Sequence, residues 1–240
     1  MRIVWNRQTV DWFRHASEYT GYNRALREIL CAHIPPDTTL CDVGCGAGLI
    51  DLELASHCRH ITCVDVDACA VEAVKEEATR RNVSNITPIC QDGAELVGEW
   101  DTVLALFHGG SCWMQHYFSH ARQRMILAVY DQCRGSFGPA HRKREKHHGA
   151  AQVQATLDRM GVVYTVEHHA LEYGQPLKSR EEARAFVGAY CQPMEEWELE
   201  DYLKTHLCPT GREDFPYYLP KTKRFSLFVI EKEKNLGVYP

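Results

Sequence analysis

The sequence predicts an α/β fold, with one mostly parallel seven-stranded sheet covered by helices on both faces, a helical cap in front of it and a helical insertion near its end. Three observations carry this. Strand-like apolar runs alternate with helical periodicity from Leu40 to Tyr130, which is the signature of a parallel sheet with crossover helices. A glycine-rich turn joins the first such run to the first such helix. Two long helical segments separate the last two strand-like runs, a connection far longer than a hairpin requires.

Trp5 to Ala32 has helical patterning, with Trp12, Tyr19, Leu26, Ile29 and Leu30 available for one face, and Pro35 and Pro36 end it. The alternation then begins. "TLCDV" reads as a strand, Leu49 to His57 as a helix, "ITCVDV" as a strand and Ala68 to Arg81 as a helix. "ITPICQ" and "DTVLALF" follow as strands, Trp113 to Arg124 as a helix, and "RMILAVY" as a strand. Beyond it, Ala150 to Met160 reads helical, Val162 to His169 strand-like and Phe225 to Glu231 strand-like, so that the last two complete the sheet. Between them "SREEARAFVGAYC" and "MEEWELEDYLKTHL" read as helices placed to cover a ligand.

Composition narrows the classes of function. The 240 residues suit one main core, and 45% hydrophobic with 25% charged residues is ordinary for a globular enzyme. A formal net charge of -5 gives no global attraction for phosphate backbones, so nucleic-acid binding needs a local patch and is not expected. No apolar run approaches the roughly 18 to 20 residues of a membrane span, and the first ten residues lack a signal-peptide core, which predicts a cytoplasmic protein that stays off the membrane. The 11 cysteines form no C-x-x-C pair, and Cys41, Cys63 and Cys90 fall inside strand-like runs, so reduced and mostly buried thiols are expected.

The stretch "LCDVGCGAGLIDLELA" carries the chemistry. Gly44, Gly46 and Gly48 let the backbone turn tightly at the carboxyl end of a strand, the edge at which parallel sheets bind ligands. The spacing is D-x-G-x-G-x-G, with Leu49 where the dinucleotide pattern G-x-G-x-x-G has its third glycine, so a pyrophosphate is disfavoured. Asp65 ends the second strand about 20 residues further on, where a carboxylate can accept both hydroxyls of a ribose. Asp65 or its neighbour Asp67 could instead cap the helix that starts near Ala68. Asp92, in "ICQDGAEL", is placed to accept from an exocyclic amine, with Gly93 and Ala94 offering backbone groups to an adenine edge. Together these residues describe an adenosine without a pyrophosphate.

In order and spacing they resemble the class I S-adenosylmethionine-dependent methyltransferases: "DVGCGAG" is similar to the first motif of that family, "VDVD" to the second, "CQDGAE" to the third and "WDTVLALF" to the fourth strand. The resemblance implies a Rossmann-like methyltransferase fold, with a cap over residues 1–39, the methyltransferase domain over 40–240, its cofactor half over 40–130 and the insertion over about 174–223. It implies S-adenosylmethionine as cofactor, with Gly44 and Gly46 facing the methionine part, Asp65 the ribose, Asp92 the adenine and the loop after Leu106 bordering the methyl group, and with Cys45, Gly48, Val66, Gly93, Ala94 and Leu106 among the cofactor-binding residues. Asp42 would orient the turn or reach the amino group through water.

His108, in "LFHGGSCW", follows the fourth strand onto the same edge and is the candidate general base, or else a pocket wall that moves no proton. Trp5, Trp12, Tyr19, Tyr22 and Trp113 are candidates for an aromatic lid, with Trp12 equally suited to pack the first helix. The charged run "HRKREKHH" at 141–148 reads as a solvated loop. No metal is expected, because neither thiols at zinc-finger spacing nor H-E-x-x-H appear. The expected activity is methyl transfer to oxygen or nitrogen of a small molecule. RNA or protein methylation through the basic run, or a non-catalytic cofactor-binding module, are the alternatives.

Overall fold

The computed structural model describes residues 4–108, 114–131, 137–139 and 149–235. Two helices, α1 (Arg7–Thr20) and α2 (Tyr22–Cys31), precede β1 (Thr39–Val43), α3 (Leu49–Leu54), β2 (His60–Asp65), α4 (Ala68–Arg80), β3 (Ile86–Cys90) and β4 (Trp100–Leu106). Then come α5 (Met114–Ser119), β5 (Ala121–Tyr130), α6 (Ala150–Arg159) and β6 (Thr165–Glu172). The last part holds β7 (Gln175–Leu177), α7 (Arg180–Tyr190), α8 (Glu196–His206), β8 (Cys208–Pro209), β9 (Tyr217–Leu219) and β10 (Thr222–Glu231).

Seven strands form the main sheet in the order β3-β2-β1-β4-β5-β10-β6. The first five run parallel, and β10 lies antiparallel between β5 and β6. The chain winds outward from β1 to β3 and then returns to β4 on the other side of β1, which opens a crevice at the carboxyl ends of β1 and β4. The reversal of β10 has its own effect: its first residues lie beside the last residues of β5, Phe225 opposite Tyr130, so the start of β10 reaches the same edge.

Side chains alternate between the two faces at period two. Leu40, Leu104, Ile126 and Leu227 share one core with Leu26 and Leu30 of α2 and Leu54 of α3. Their neighbours Cys41, Val103, Met125 and Phe228 share the other with Tyr117 and Phe118 of α5 and Leu157 of α6. A third core joins Trp12 of α1 to Phe186 and Val187 of α7, Leu203 of α8 and Leu219 of β9. The two segments expected to cover the sheet edge therefore pack on each other. Among the described residues no helix is long and apolar enough to cross a membrane.

Several elements differ from the sequence expectation. The continuous helix read over 5–32 is two helices, because Gly21 adopts a left-handed conformation (φ 69°) and its N–H bonds back to the Ser17 carbonyl, ending α1 as only a residue without Cβ does cheaply. The helix read over 113–124 ends at Ser119, and β5 takes up Ala121 onward. The strand read from Val162 starts at Thr165, since the Asn235 side chain accepts from the Val163 N–H (2.7 Å) and donates to its carbonyl (2.9 Å), the bonds a strand neighbour would otherwise make. The insertion also contains a small antiparallel sheet, β7-β9-β8, that the sequence did not predict. Cys90 is exposed, because β3 is the edge of the main sheet; Cys41, Cys45, Cys58, Cys63 and Cys191 are buried free thiols.

Candidate functional site

The turn after β1 is pinned from β2. The N–H groups of Gly44 and Cys45 both donate to the Val64 carbonyl (2.7 and 3.1 Å), and the Gly46 N–H donates to Asp65 Oδ2 (2.9 Å). Gly44, Gly46 and Gly48 have φ of 78°, 56° and 64°, which side-chain-bearing residues adopt at a cost. Their surroundings differ. A Cβ on Gly44 would meet the His108 ring at 2.1 Å and one on Gly46 the Trp5 ring at 2.7 Å, so both face the crevice. A Cβ on Gly48 would meet Val74 of α4 at 2.7 Å, so Gly48 serves helix packing instead of the crevice surface.

The two neighbouring acids at the end of β2 have separate tasks. Asp65 accepts from Gly46 N–H and, through Oδ1, from Asp67 N–H (2.9 Å), which leaves each oxygen a further lone pair toward the crevice. Asp67 caps α4 by accepting from Cys69 N–H (3.0 Å). Asp92 accepts from Ala94 N–H (2.9 Å) and starts a short 3-10 turn, whose Gly93 lies against Tyr117.

Beneath the turn sit two buried carboxyls, Asp42 on β1 and Asp51 on α3. Asp42 Oδ1 is a buried oxygen with no hydrogen-bonding partner among the described residues. Burial, reinforced by the Asp51 charge, pushes the Asp42 carboxyl well above the usual range. Burial likewise pushes Asp51 up to about 7.

These groups open onto one cavity of about 840 Å³. Of the residues read from sequence, Asp42, Gly44, Cys45, Gly46, Asp65, Val66, Asp92, Gly93, Leu106, His108, Trp5 and Tyr22 line it. His108 reaches it because Phe107 adopts a left-handed conformation (φ 59°), held by its N–H to the Ala128 carbonyl (2.7 Å), which folds the chain back over Gly44. Ala94, Gly48, Trp12 and Tyr19 are not in the lining. Ala94 contributes its N–H to Asp92. Trp12 is buried against Phe186 (5.2 Å between ring centroids), and its indole N–H donates to Glu182 (3.0 Å). Tyr19, on the far side of the Gly21 break, stacks on Tyr218 at 5.0 Å under the Arg212 guanidinium. Trp113 and the run 141–148 lie outside the described residues.

The sequence reading missed the opposite wall. Tyr130 ends β5, Tyr173 follows β6, and Lys221 and Lys223 flank the start of β10; all four line the cavity. Their only signal was the lysine alternation in "KTKRF", which reads equally well as charge at the end of a strand. Among the described residues no group of three or more His, Cys, Asp or Glu side chains gathers as a metal site.

The chain is similar to known proteins over its first half and in its fold. The family described as a methyltransferase domain matches residues 40–134. An uncharacterized RNA methyltransferase of Staphylococcus aureus is 30% identical over 79 residues, 33% of this chain and 17% of that protein. The chloroplastic magnesium protoporphyrin IX methyltransferase of Arabidopsis thaliana is 28% identical over 142 residues, 51% of this chain and 46% of that protein. The chain thus spans less than half the length of either relative. Among solved structures, magnesium protoporphyrin IX methyltransferase from Synechocystis with bound SAH superposes with a TM-score of 0.55 at 19% identity, covering 96% of this chain and 90% of that one. That likeness is one of fold.

Proposed function

We propose, from the methyltransferase domain that residues 40–134 form, that the protein binds S-adenosylmethionine and transfers its methyl group to oxygen or nitrogen of a small molecule. The observation that carries the reading is that the glycine turn, Asp65 and Asp92 open onto a single cavity roofed by aromatic side chains of the N-terminal helices. The residues present fit the cofactor. Gly44 and Gly46 hold the turn at positive φ along the cavity, Asp65 keeps lone pairs for two ribose hydroxyls, Asp92 and Gly93 suit the adenine edge, and Asp42 presents a buried oxygen near the turn. Val66 and Leu106 supply apolar borders.

The cofactor supplies a sulfonium-bound methyl group that an oxygen or nitrogen lone pair can displace. The work of the chain is to orient the acceptor and exclude water. Trp5 and Tyr22 close the cavity over the turn, and His108, lying on Gly44, is positioned to take a proton from an acceptor that arrives protonated. A second reading, transfer to RNA, is favoured by the likeness to the Staphylococcus aureus RNA methyltransferase.

Calorimetry with SAH and with NAD tests the cofactor: micromolar-range binding of SAH and none of NAD is expected, and equal binding of both overturns the reading. Incubation with methyl-labelled cofactor and fractionated extracts tests the acceptor. Label in the metabolite fraction is expected; label confined to RNA replaces the first reading by the second.

A further inference from the structure

Gln175 opens β7, pairs with Leu219 of β9 and lines the cavity, yet it is only 3% exposed. Its side-chain nitrogen donates to two backbone carbonyls, that of Trp12 on α1 and that of Pro176, both at 3.1 Å. Carbonyls only accept, so these contacts fix which way the amide stands, with its nitrogen toward them and its oxygen turned away. Both N–H groups are then used. The oxygen, with two lone pairs, receives no hydrogen bond from any described residue and is the polar atom left to the cavity.

The tie between α1 and β7 needs only the nitrogen. A carbonyl oxygen held in one place and buried this deeply is well accommodated only when something brings it a donor. The surroundings describe what that is. Trp12 lies in ring contact with Phe186 (5.2 Å) and Tyr190 (6.2 Å), Phe186 with Phe137 (4.8 Å), and Phe13, the residue after Trp12, with Tyr173 (6.2 Å). Phe13, Phe137, Tyr173, Phe186 and Tyr190 all line the cavity. The wall around Gln175 is therefore aromatic, which suits a flat apolar body, and the amide is a fixed polar point within it. The groups that suit the cofactor, the glycine turn with Asp65 and Asp92, come from the edge formed by β1, β2 and β3, whereas Gln175, Phe13, Phe186 and Tyr190 come from β7, α1 and α7. A carbonyl oxygen repels a carboxylate or phosphate and attracts an N–H or O–H group.

Resting on the methyltransferase reading above, we propose that the methyl acceptor is a flat aromatic molecule bearing an amine or a hydroxyl, and that this group donates a hydrogen bond to Gln175 Oε1. Gln175 then positions the acceptor and selects for it, because a molecule of the same shape without the donor leaves the buried oxygen unpaired.

The test titrates the full-length protein, saturated with SAH, in a calorimeter with two matched pairs: naphthol against methoxynaphthalene, and naphthylamine against dimethylnaphthylamine. In at least one pair the donor-bearing member is expected to bind about tenfold more tightly, the worth of a hydrogen bond, and which pair shows it identifies the group. Gln175→Leu should bring that pair to near-equal affinity, with SAH binding as the check that the cofactor half is intact. If that variant does not fold, a crystal structure of the wild-type protein with SAH and the tighter-binding probe takes its place, and the donor is expected within about 3.2 Å of Oε1. Equal binding within both pairs, no binding of any probe, a preference unchanged in Gln175→Leu, or a donor seated elsewhere overturns the assignment. A protein that takes no SAH fails the methyltransferase reading instead, and the same titrations without SAH then decide the role of Gln175.

Discussion

The His108 ring lies directly on Gly44, so close that a Cβ on the glycine would come within 2.1 Å of the ring. Gly44→Ala must therefore displace His108 and also hold alanine at a φ of 78°. Strain of this kind costs about 1–3 kcal/mol. The variant should melt several degrees lower and bind SAH at least tenfold more weakly, as checked by thermal melts and calorimetry. An SAH affinity equal to wild type would show that the turn is not where the ligand lies.

Asp65 and Asp67 are two residues apart, yet only the first lines the cavity. Asp65→Ala should weaken SAH binding by about 1.5–3 kcal/mol, the range for hydrogen bonds to a charged acceptor. Asp67→Ala removes the cap of α4 and should lower stability by about 1 kcal/mol with little change in SAH affinity. Calorimetry and melting curves on the two variants separate the roles, and reversed effects would refute them.

Asp51 keeps its proton to about 7 in the folded protein, against an ordinary 3.8. Across that window the folded chain binds more protons than the unfolded one, so this carboxyl makes stability fall as pH rises through it. Asp51→Asn cannot ionise. Its stability relative to wild type should be near zero change at about pH 3 and should rise through about pH 7 by on the order of 2–4 kcal/mol. Denaturant unfolding at the two pH values measures this; a gain that shrinks toward alkaline pH would contradict it.

Gly188 lies in the last turn of α7, exposed, with nothing within 4 Å of the position a Cβ would take. Its backbone is helical, so alanine meets neither strain nor collision. Gly188→Ala should stabilise the protein by about 0.5–1 kcal/mol, a rise of about 1–4 °C in melting temperature. A melt at or below that of wild type would show that α7 is more closely covered than the structure shows.

The parallel half of the sheet was legible in the sequence because local pattern decides it: apolar runs of strand length, helical periodicity between them, and glycines where the backbone must turn. The glycine turn and Asp65 were legible for the same reason, since strand ends place them on one edge. Tyr19 and Tyr22 show where such reading stops. They stand three residues apart around Gly21, and the left-handed break sends Tyr22 to the cavity and Tyr19 to Tyr218.

By itself the sequence determined the alternating strands and helices, the D-x-G-x-G-x-G turn and the acid that backs it, because each depends on residues close together along the chain. The tertiary structure alone decided that Trp12 packs in a core with α7, and that Gly48 supports a helix. It also decided that Lys223 enters a ring of Phe107, Tyr22, Tyr130 and Tyr173. Those outcomes join residues far apart in the chain through the antiparallel insertion of β10, and long-range pairing of that kind leaves no local period to read.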